Sequence, residues 1–443
     1  FCWLLPHFPA LIFLTVSFAG RPFHGHMSAE QHRSTPSRRL AVMSSHLASP
    51  AAELSSSTSV CSAPSGLKAL TSAGSAKNDD DVVICASVRT AIGKAKRGTL
   101  KDTSPENLLR PVLAEALSRS GLDPALLGDV IVGTVLPRGG QGATEARIAC
   151  LLAGIPVHVP VTTVNRQCSS GLQAIANAAA AIRAGFYEVA LAAGVESMSN
   201  NSMSAWDGVV NEEALAHEFA KDCYTPMGVT SENVASRFSI SREVQDQFSY
   251  DSHQKAAAAQ EAGRFVAEIV PIQVKVQDAE GNESSVLFSQ DEGIRASTPL
   301  EKYGQLRTVF SSDGSTTAGN ASQVSDGAAA AVVASRRAAV RLGLPILARL
   351  CSFSAVGVEP SIMGVGPAAA IPLAVRDAGL TLSQVDLFEI NEAFASQAVY
   401  CIQKLAIDPA LVNVNGGAIA LGHPLGCTGA RMTATLLYEM KRR

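Results

Sequence analysis

Val161-Thr162-Thr163-Val164-Asn165-Arg166-Gln167-Cys168-Ser169-Ser170-Gly171-Leu172 passes from an extended β-branched run into an alanine-rich segment, and this change of period sets the fold class. Val161 to Val164 read as a strand, whereas Gly171 to Arg183 carry Leu172, Ile175, Ala179 and Ile182 at helical spacing. Cys168 is therefore predicted to cap a helix N-terminus. The helix dipole and unpaired amides there favour an anion, which biases a thiol towards its nucleophilic form. A lone cysteine is more often a small buried hydrophobe, so the nucleophile reading needs a partner elsewhere in the chain.

Asn415-Gly416-Gly417-Ala418-Ile419-Ala420-Leu421-Gly422-His423-Pro424-Leu425-Gly426 supplies one. The glycines leave room for a ligand to approach the backbone, a histidine there can accept a thiol proton, and a helix is predicted from Thr428 to Lys441. Asn391-Glu392-Ala393-Phe394 forms a third cluster, at the end of an apolar run, Val385 to Ile390, read as a buried strand. Open α/β sheets place their sites at such strand ends. Taken alone, these last two clusters are also compatible with ordinary turn chemistry.

The chain contains an internal duplication. Pro111 to Ile131 runs helix, Gly121-Leu122, short loop, Asp129, apolar strand; Ile371 to Phe388 repeats it with Gly379-Leu380 and Asp386. Each copy begins with its own strand, Val82 to Val88 and Ile346 to Ala355. A further strand, Glu188 to Ala193, leads to a turn at Gly194-Val195-Glu196. Strands alternating with helices imply parallel sheets with right-handed crossovers. The expected architecture is α/β: two duplicated halves, each a mostly parallel sheet wrapped by helices, with an insertion between them. The predicted divisions are 1–80, an extension; 81–199, the nucleophile half; 200–323, an inserted loop domain richer in polar residues; 324–345, a return to the first half; and 346–443, the second half.

Composition agrees with an enzyme of this kind. With 443 residues, 47% of them hydrophobic, and 35 glycines, the chain can bury a large core. A net charge of -3 with 17% charged residues offers no basic surface for nucleic acid. Nine cysteines without a Cys-x-x-Cys pair argue against a disulfide framework or a zinc site, and so for a reducing compartment.

Taken together, the segments Asn165 to Ala174, Gly194 to Ser199, Thr225 to Asn233, Thr317 to Ala329, Asn391 to Gln397 and Gly416 to Arg431 resemble the thiolases, in particular the peroxisomal group that cleaves 3-ketoacyl-CoA. The likeness runs from about Asp81 to the last residue. It implies thiolytic cleavage of 3-ketoacyl-CoA by CoA to acyl-CoA and acetyl-CoA in fatty-acid β-oxidation, through an acyl-cysteine. Cys168 would be the nucleophile, His423 its base, and Asn391 would position a water that stabilises the oxyanion with His423. Glu392 would support the Asn391 loop. The inserted loop domain would bind coenzyme A, with Arg295, Ser322 and Phe394 as its contacts. On its own Arg295 reads as a solvated surface charge, and Lys302 departs from the serine common in bacterial members. No resident cofactor or metal is implied, CoA being a co-substrate, and the expected assembly is a homodimer or tetramer. The alternatives are a biosynthetic acetoacetyl-CoA thiolase and a non-catalytic CoA-binding or assembly protein.

Both ends of the chain carry expectations. The repeat calls for one more strand after the helix ending at Arg443, and the family places there a Cys-x-Gly motif acting as general acid and base; Cys427 does not hold that position. The chain thus reads as a C-terminally truncated thiolase sequence. Phe1 to Gly20 is apolar but broken by Pro6 and Pro9, and reads as translated upstream sequence with Met27 or Met43 as the start. Arg39-Leu40, five residues, then His46-Leu47 places two pairs on one helical face. It matches the cleavable signal that a peroxisomal import receptor reads, while the serine-rich, acid-poor setting also suits a mitochondrial transit peptide. Ala48 to Lys77 reads as a linker, and no membrane span is expected in the mature protein.

Overall fold

The computed structural model describes residues 10–17 as backbone, and 70, 74, 76–137, 140–201, 203, 210–277 and 281–443. The Arg39 to Leu47 signal, Met27, Met43 and most of the Ala48 to Lys77 linker lie outside these residues. In chain order, β1 (Ala10–Ser17) precedes a run of β2 (Val82–Thr90), β3 (Gly93–Lys94), α1 (Pro105–Ser120), β4 (Asp129–Gly133), α2 (Ala143–Leu152), β5 (Val161–Val164), α3 (Ser170–Arg183) and β6 (Val189–Ser197). An interposed segment carries α4 (Glu212–Ala216), α5 (Met227–Arg237), α6 (Arg242–Glu261), β7 (Ile269–Val270), the hairpin strands β8 (Ile272–Gln277) and β9 (Glu283–Phe288), and α7 (Leu300–Gly304). There follow β10 (Ser325–Ser335), α8 (Arg336–Arg341), β11 (Ala348–Gly357), α9 (Gly366–Asp377), α10 (Ala395–Lys404), α11 (Ala418–Leu421) and α12 (Leu425–Arg442).

The main sheet has the order β1-β11-β2-β10-β6-β4-β5, with β3 beside β10 and β7 beside β2. β4 pairs in parallel with β5 and β6, and β1 with β11, while β10 runs antiparallel to β2 and β6. Both faces are covered. β2, β6 and nearly all of β10 are buried along their length, the pattern of strands sandwiched between layers. The period of two sorts them: Ala328, Ala330 and Val332 pack towards α1, whereas Ala329, Ala331 and Val333 pack towards α3 and α12. The repeat is visible in the local geometry too, since Gly121 and Gly379 end α1 and α9 in the left-handed region at φ 71° and 76°.

Several expectations change. β6 does not turn at Gly194 but continues to Ser197, which buries Glu196 inside the sheet. β11 joins the first-half strands directly through Ala348–Leu350 on β2, so both halves share one sheet. Val385 to Ile390 is not a ladder strand; only Phe388 and Val412 form a bridge. The cause is Asn413, whose side chain accepts from Ile390 N and donates to Ile390 O, both at 2.8 Å, taking the place of a neighbouring strand. Among the described residues no helix is long and apolar enough to cross a membrane.

Candidate active site

The turn that carries Cys168 is held by its own side chains. Asn165 Oδ1 accepts from Gln167 N at 2.9 Å, and the Ser170 hydroxyl donates to Gln167 O at 2.6 Å while accepting from Arg166 N at 2.9 Å. These bonds force Gln167 to φ 49°, a left-handed conformation costly for a residue with a side chain and common where structure is built for function. Ser169, not Cys168, holds the cap position of α3, and Cys168 lies one residue before the cap. Partly exposed to the cavity, the resting thiol is also less acidic than a helix start would make it. Burial first, and then the nearby Glu196 carboxylate, push the Cys168 thiol up to about 12. Desolvation of the charged form outweighs a dipole that falls off within a turn.

His423 sits in the break between α11 and α12 and is 4% exposed. Its Nδ1 is 2.7 Å from Thr428 Oγ1, and that hydroxyl donates onward to Pro424 O at 3.3 Å. This arrangement suits the tautomer with the ring hydrogen on Nδ1 and the lone pair on Nε2. Asn391 Nδ2 lies 3.3 Å from Nε2, consistent with donation to it. Burial, and secondly Arg431, lower the imidazole to about 3, so the ring is neutral near pH 7. It can therefore accept a proton.

Asn391 is presented by a loop built on Glu392. That carboxylate, 1% exposed, accepts from Ser252 Oγ at 2.7 Å, Asn413 Nδ2 at 2.8 Å and Ile419 N at 3.1 Å. Gly417 passes so close that an added Cβ would sit 2.2 Å from the Glu392 carboxyl carbon. The Asn391 loop and the glycine-rich approach to His423 are thereby one fastened unit, and Glu392 supports it as expected. Asn391 Oδ1 is buried without a hydrogen-bond partner among the described residues.

Glycines bring this unit to Cys168. A Cβ on Gly171 would meet Gly426 O at 2.5 Å, and one on Gly426 would meet Thr134 Cα at 2.6 Å and Gly133 O at 2.8 Å. The starts of α3 and α12 thus touch backbone to backbone across the ends of β4 and β6. Cys168, Asn391 and His423 line one cavity of about 500 Å3, together with Ser322 and Phe394. Arg295 does not line it; its side chain is exposed and its backbone amide donates to His253 Nδ1 at 3.1 Å. No hydrogen bond joins Cys168 to His423 among the described residues, and both partners rest neutral. Among those residues no cluster of three His, Cys, Asp or Glu is arranged to hold a metal.

The sequence reading missed several residues of the site. Thr428 was within reach of it, five residues beyond His423. Glu389, pushed up to about 8 by burial against the pull of Arg431, also lines the cavity. So do Met198, Met203, Met227, Met363 and Met432, five of the chain's eight methionines, whose flexible thioethers suit an adaptable apolar ligand. Their positions share no sequence period.

Comparison with known proteins points the same way. Residues 82–337 match the family model for the thiolase N-terminal domain and residues 344–443 that for the thiolase C-terminal domain. The chain is 57% identical over 365 residues to peroxisomal 3-ketoacyl-CoA thiolase 2 of Arabidopsis thaliana, covering 82% of this chain and 79% of that protein. It is 56% identical over 363 residues to the human peroxisomal 3-ketoacyl-CoA thiolase, covering 82% and 85%. Among solved structures, the dimeric peroxisomal thiolase of Saccharomyces cerevisiae superposes with a TM-score of 0.77 at 48% identity, covering 82% of this chain and 92% of that one. Human mitochondrial 3-ketoacyl-CoA thiolase in complex with CoA gives 0.73 at 38% identity, over 85% and 93%.

Proposed function

The chain belongs to the thiolase family, and on that premise we propose that it cleaves 3-ketoacyl-CoA with CoA to give acyl-CoA and acetyl-CoA, the thiolytic step of β-oxidation. The observation that carries this reading is the meeting of Cys168, the Nε2 face of His423 and Asn391 on one apolar cavity. His423 Nε2 takes the thiol proton as Cys168 Sγ attacks the 3-keto carbon. The bond between C2 and C3 then breaks, leaving the acyl group on Cys168. The departing enolate takes one proton at carbon, equal in number to the one removed from the thiol, and leaves as acetyl-CoA. The thiol of a second CoA attacks the acyl-cysteine, and its proton returns to Cys168 Sγ. Asn391, donating from Nδ2 beside His423, is placed to order the group facing the oxyanion.

Ser322 and Phe394 line the cavity and are the CoA contacts we retain; Arg295 is assigned to the exposed end of the nucleotide, away from the chemistry. The names of the relatives support a peroxisomal location, with Arg39 to Leu47 as the segment an import receptor reads, and the dimeric yeast relative supports a homodimer.

The test is covalent capture. Incubation with acetyl-CoA, which drives the acyl-transfer half-reaction, is expected to add one acetyl group to the peptide containing Cys168, read by mass spectrometry. Iodoacetamide pretreatment or Cys168→Ala should abolish it. Acetyl spread over several cysteines, or none on Cys168 in folded protein, would sink the assignment.

A further inference from the structure

A buried carboxylate that the steps above do not use lies in the glycine seam. Glu196, on β6, is 1% exposed. Its Oε1 accepts from Leu136 N at 3.0 Å, and its Oε2 accepts from Val135 N at 3.0 Å and Gly426 N at 2.8 Å. The Thr134 hydroxyl, at 3.5 Å, is the outermost donor. One side chain therefore fastens three segments: β6, the turn after β4, and the first turn of α12, three residues beyond His423. No lysine or arginine pairs with it among the described residues. A buried carboxylate facing only neutral donors is costly, but both of its oxygens accept here, and an amide would turn its NH2 against one set of these N–H groups. The seam therefore calls for a carboxylate.

We propose, building on the thiolysis reading, that Glu196 is a positioning residue for acyl transfer, tying the start of α12, and with it His423, to the turn after β4, to which the Cys168 turn is itself held by Asn165 Nδ2 donating to Val135 O at 3.1 Å. Val135 and Leu136, whose amides Glu196 binds, pack with Cys168 against one apolar cluster, so its charge lies close enough to oppose thiolate formation there. The nucleophile is held as a thiol until His423 accepts its proton. Burial pushes Glu196 itself up to about 7 against the pull of its amide donors, so the charge is present above that pH.

The groups facing Glu196 are few. Cys168 approaches from the start of α3 and Cys427 from α12, both felt electrostatically. β10 presents Gly327 opposite it. α1 contributes Pro105 and Leu109, and α2 contributes Glu145, around a void of about 10 Å3, the lower limit for one water.

The experiment compares Glu196→Gln and Glu196→Asp in the full chain by two readouts. One is the pH dependence of Cys168 alkylation by iodoacetamide. The other is the rate of acetyl transfer from acetyl-CoA to Cys168. Glu196→Gln, having lost the charge, is expected to move the alkylation profile to lower pH. It should also slow acetyl transfer by about ten- to a hundredfold, the effect of a small displacement between reacting groups, with little change in the half-saturating acetyl-CoA concentration. Glu196→Asp keeps the charge but falls one methylene short, so its alkylation profile should stay near wild type while transfer slows. A folded Glu196→Gln protein with wild-type transfer, or one with slowed transfer and an unmoved alkylation profile, overturns the proposal. Should Glu196→Gln fail to fold, Glu196→Asp decides alone, and wild-type transfer there overturns it. If the wild-type chain is alkylated at Cys168 but never acetylated, the thiolysis reading fails, while the shift in the alkylation profile still tests the charge of Glu196.

Discussion

His423 shows how burial turns a titratable side chain into a base of fixed form. Its ordinary value, 6.5, is lowered to about 3, first by burial and then by Arg431, and the Thr428 hydroxyl suits the tautomer with the lone pair on Nε2. Between those two values the unfolded chain binds a proton at this position and the folded chain does not. The contribution of His423 to stability therefore rises with pH through that window, and is lost as the pH falls from 6.5 towards 3. Glu439 acts in the same sense at the acid end: burial would raise its carboxyl, but hydrogen bonds from Asn415, Arg443 and Arg442 bring it down to about 2. Glu196 and Glu389 act in the opposite sense, since folding raises them to about 7 and about 8. Replacing His423 with Gln is expected to lower the slope of stability against pH by one proton's worth between pH 3 and 6.5 and leave the slope above 6.5 unchanged, as followed by urea denaturation at a series of pH values. An equally steep acid slope in the variant would show that the buried ring is not the group lost there.

At the scale of elements, the contact between the starts of α3 and α12 carries the site. Gly426 is one of its tight points, where a Cβ would lie 2.6 Å from Thr134 Cα, 2.8 Å from Gly133 O and 2.9 Å from Val195 O. All three are backbone atoms, so no rotamer change relieves the overlap. Gly426→Ala is expected to cost about 1–3 kcal/mol, the usual range for overpacking, and to slow acetyl transfer to Cys168 further than that loss of stability alone would. Gly304→Ala, which opens onto free space at the end of α7, is the control and should melt at or slightly above the wild-type temperature. Calorimetry of the two proteins separates crowding from a general penalty on alanine. How much of this was legible in the sequence follows from the range of each interaction. The β5 to α3 turn could be read because Asn165, Gln167 and Ser170 hold it within a few residues. The supposed strand at Val385 to Ile390 could not, because among the described residues Phe388 alone pairs with the backbone of another segment, at Leu411 and Asn413, while Ile390 is bound by the Asn413 side chain 23 residues away. Glu196 stood in a segment that resembled the family, yet its partners lie 60 and 230 residues distant, and spacing says nothing about them. Arg295 illustrates the reverse: the family motif drew attention to it, and the fold leaves it outside the cavity.

For the whole molecule, the question is whether the segment interposed between β6 and β10 behaves as a separate lid. Its β7 pairs with β2, and the two residues at its strongest anchor, Glu268 and Asp291, meet Arg89 in the core. Arg89 Nε donates to Glu268 Oε1 at 2.6 Å, while Nη1 and Nη2 donate to the Asp291 carboxylate at 2.7 and 2.9 Å. All three side chains of this triad are fully buried. Thr435 on α12 donates to Glu268 at 3.0 Å, and Ile92 N donates to Asp291 at 2.8 Å, so sheet, interposed segment and last helix meet at one guanidinium. A buried ion pair adds little net stability over an apolar replacement of both partners, but removing one partner strands the other. Arg89→Met would leave two carboxylates facing each other without a counter-charge, at a cost on the order of 3–5 kcal/mol, a large share of the 5–15 kcal/mol typical of a folded domain. Because the triad joins all three regions, that loss is expected to move a single cooperative transition, seen at one midpoint by both far-UV circular dichroism and tryptic cleavage within residues 200–323. Glu268→Gln, which keeps a hydrogen-bonding group and leaves a balanced Arg89–Asp291 pair, should shift the midpoint less. If Arg89→Met instead released residues 200–323 to trypsin while the sheet melted at its wild-type temperature, the segment would be an independent unit, and the buried triad a local latch.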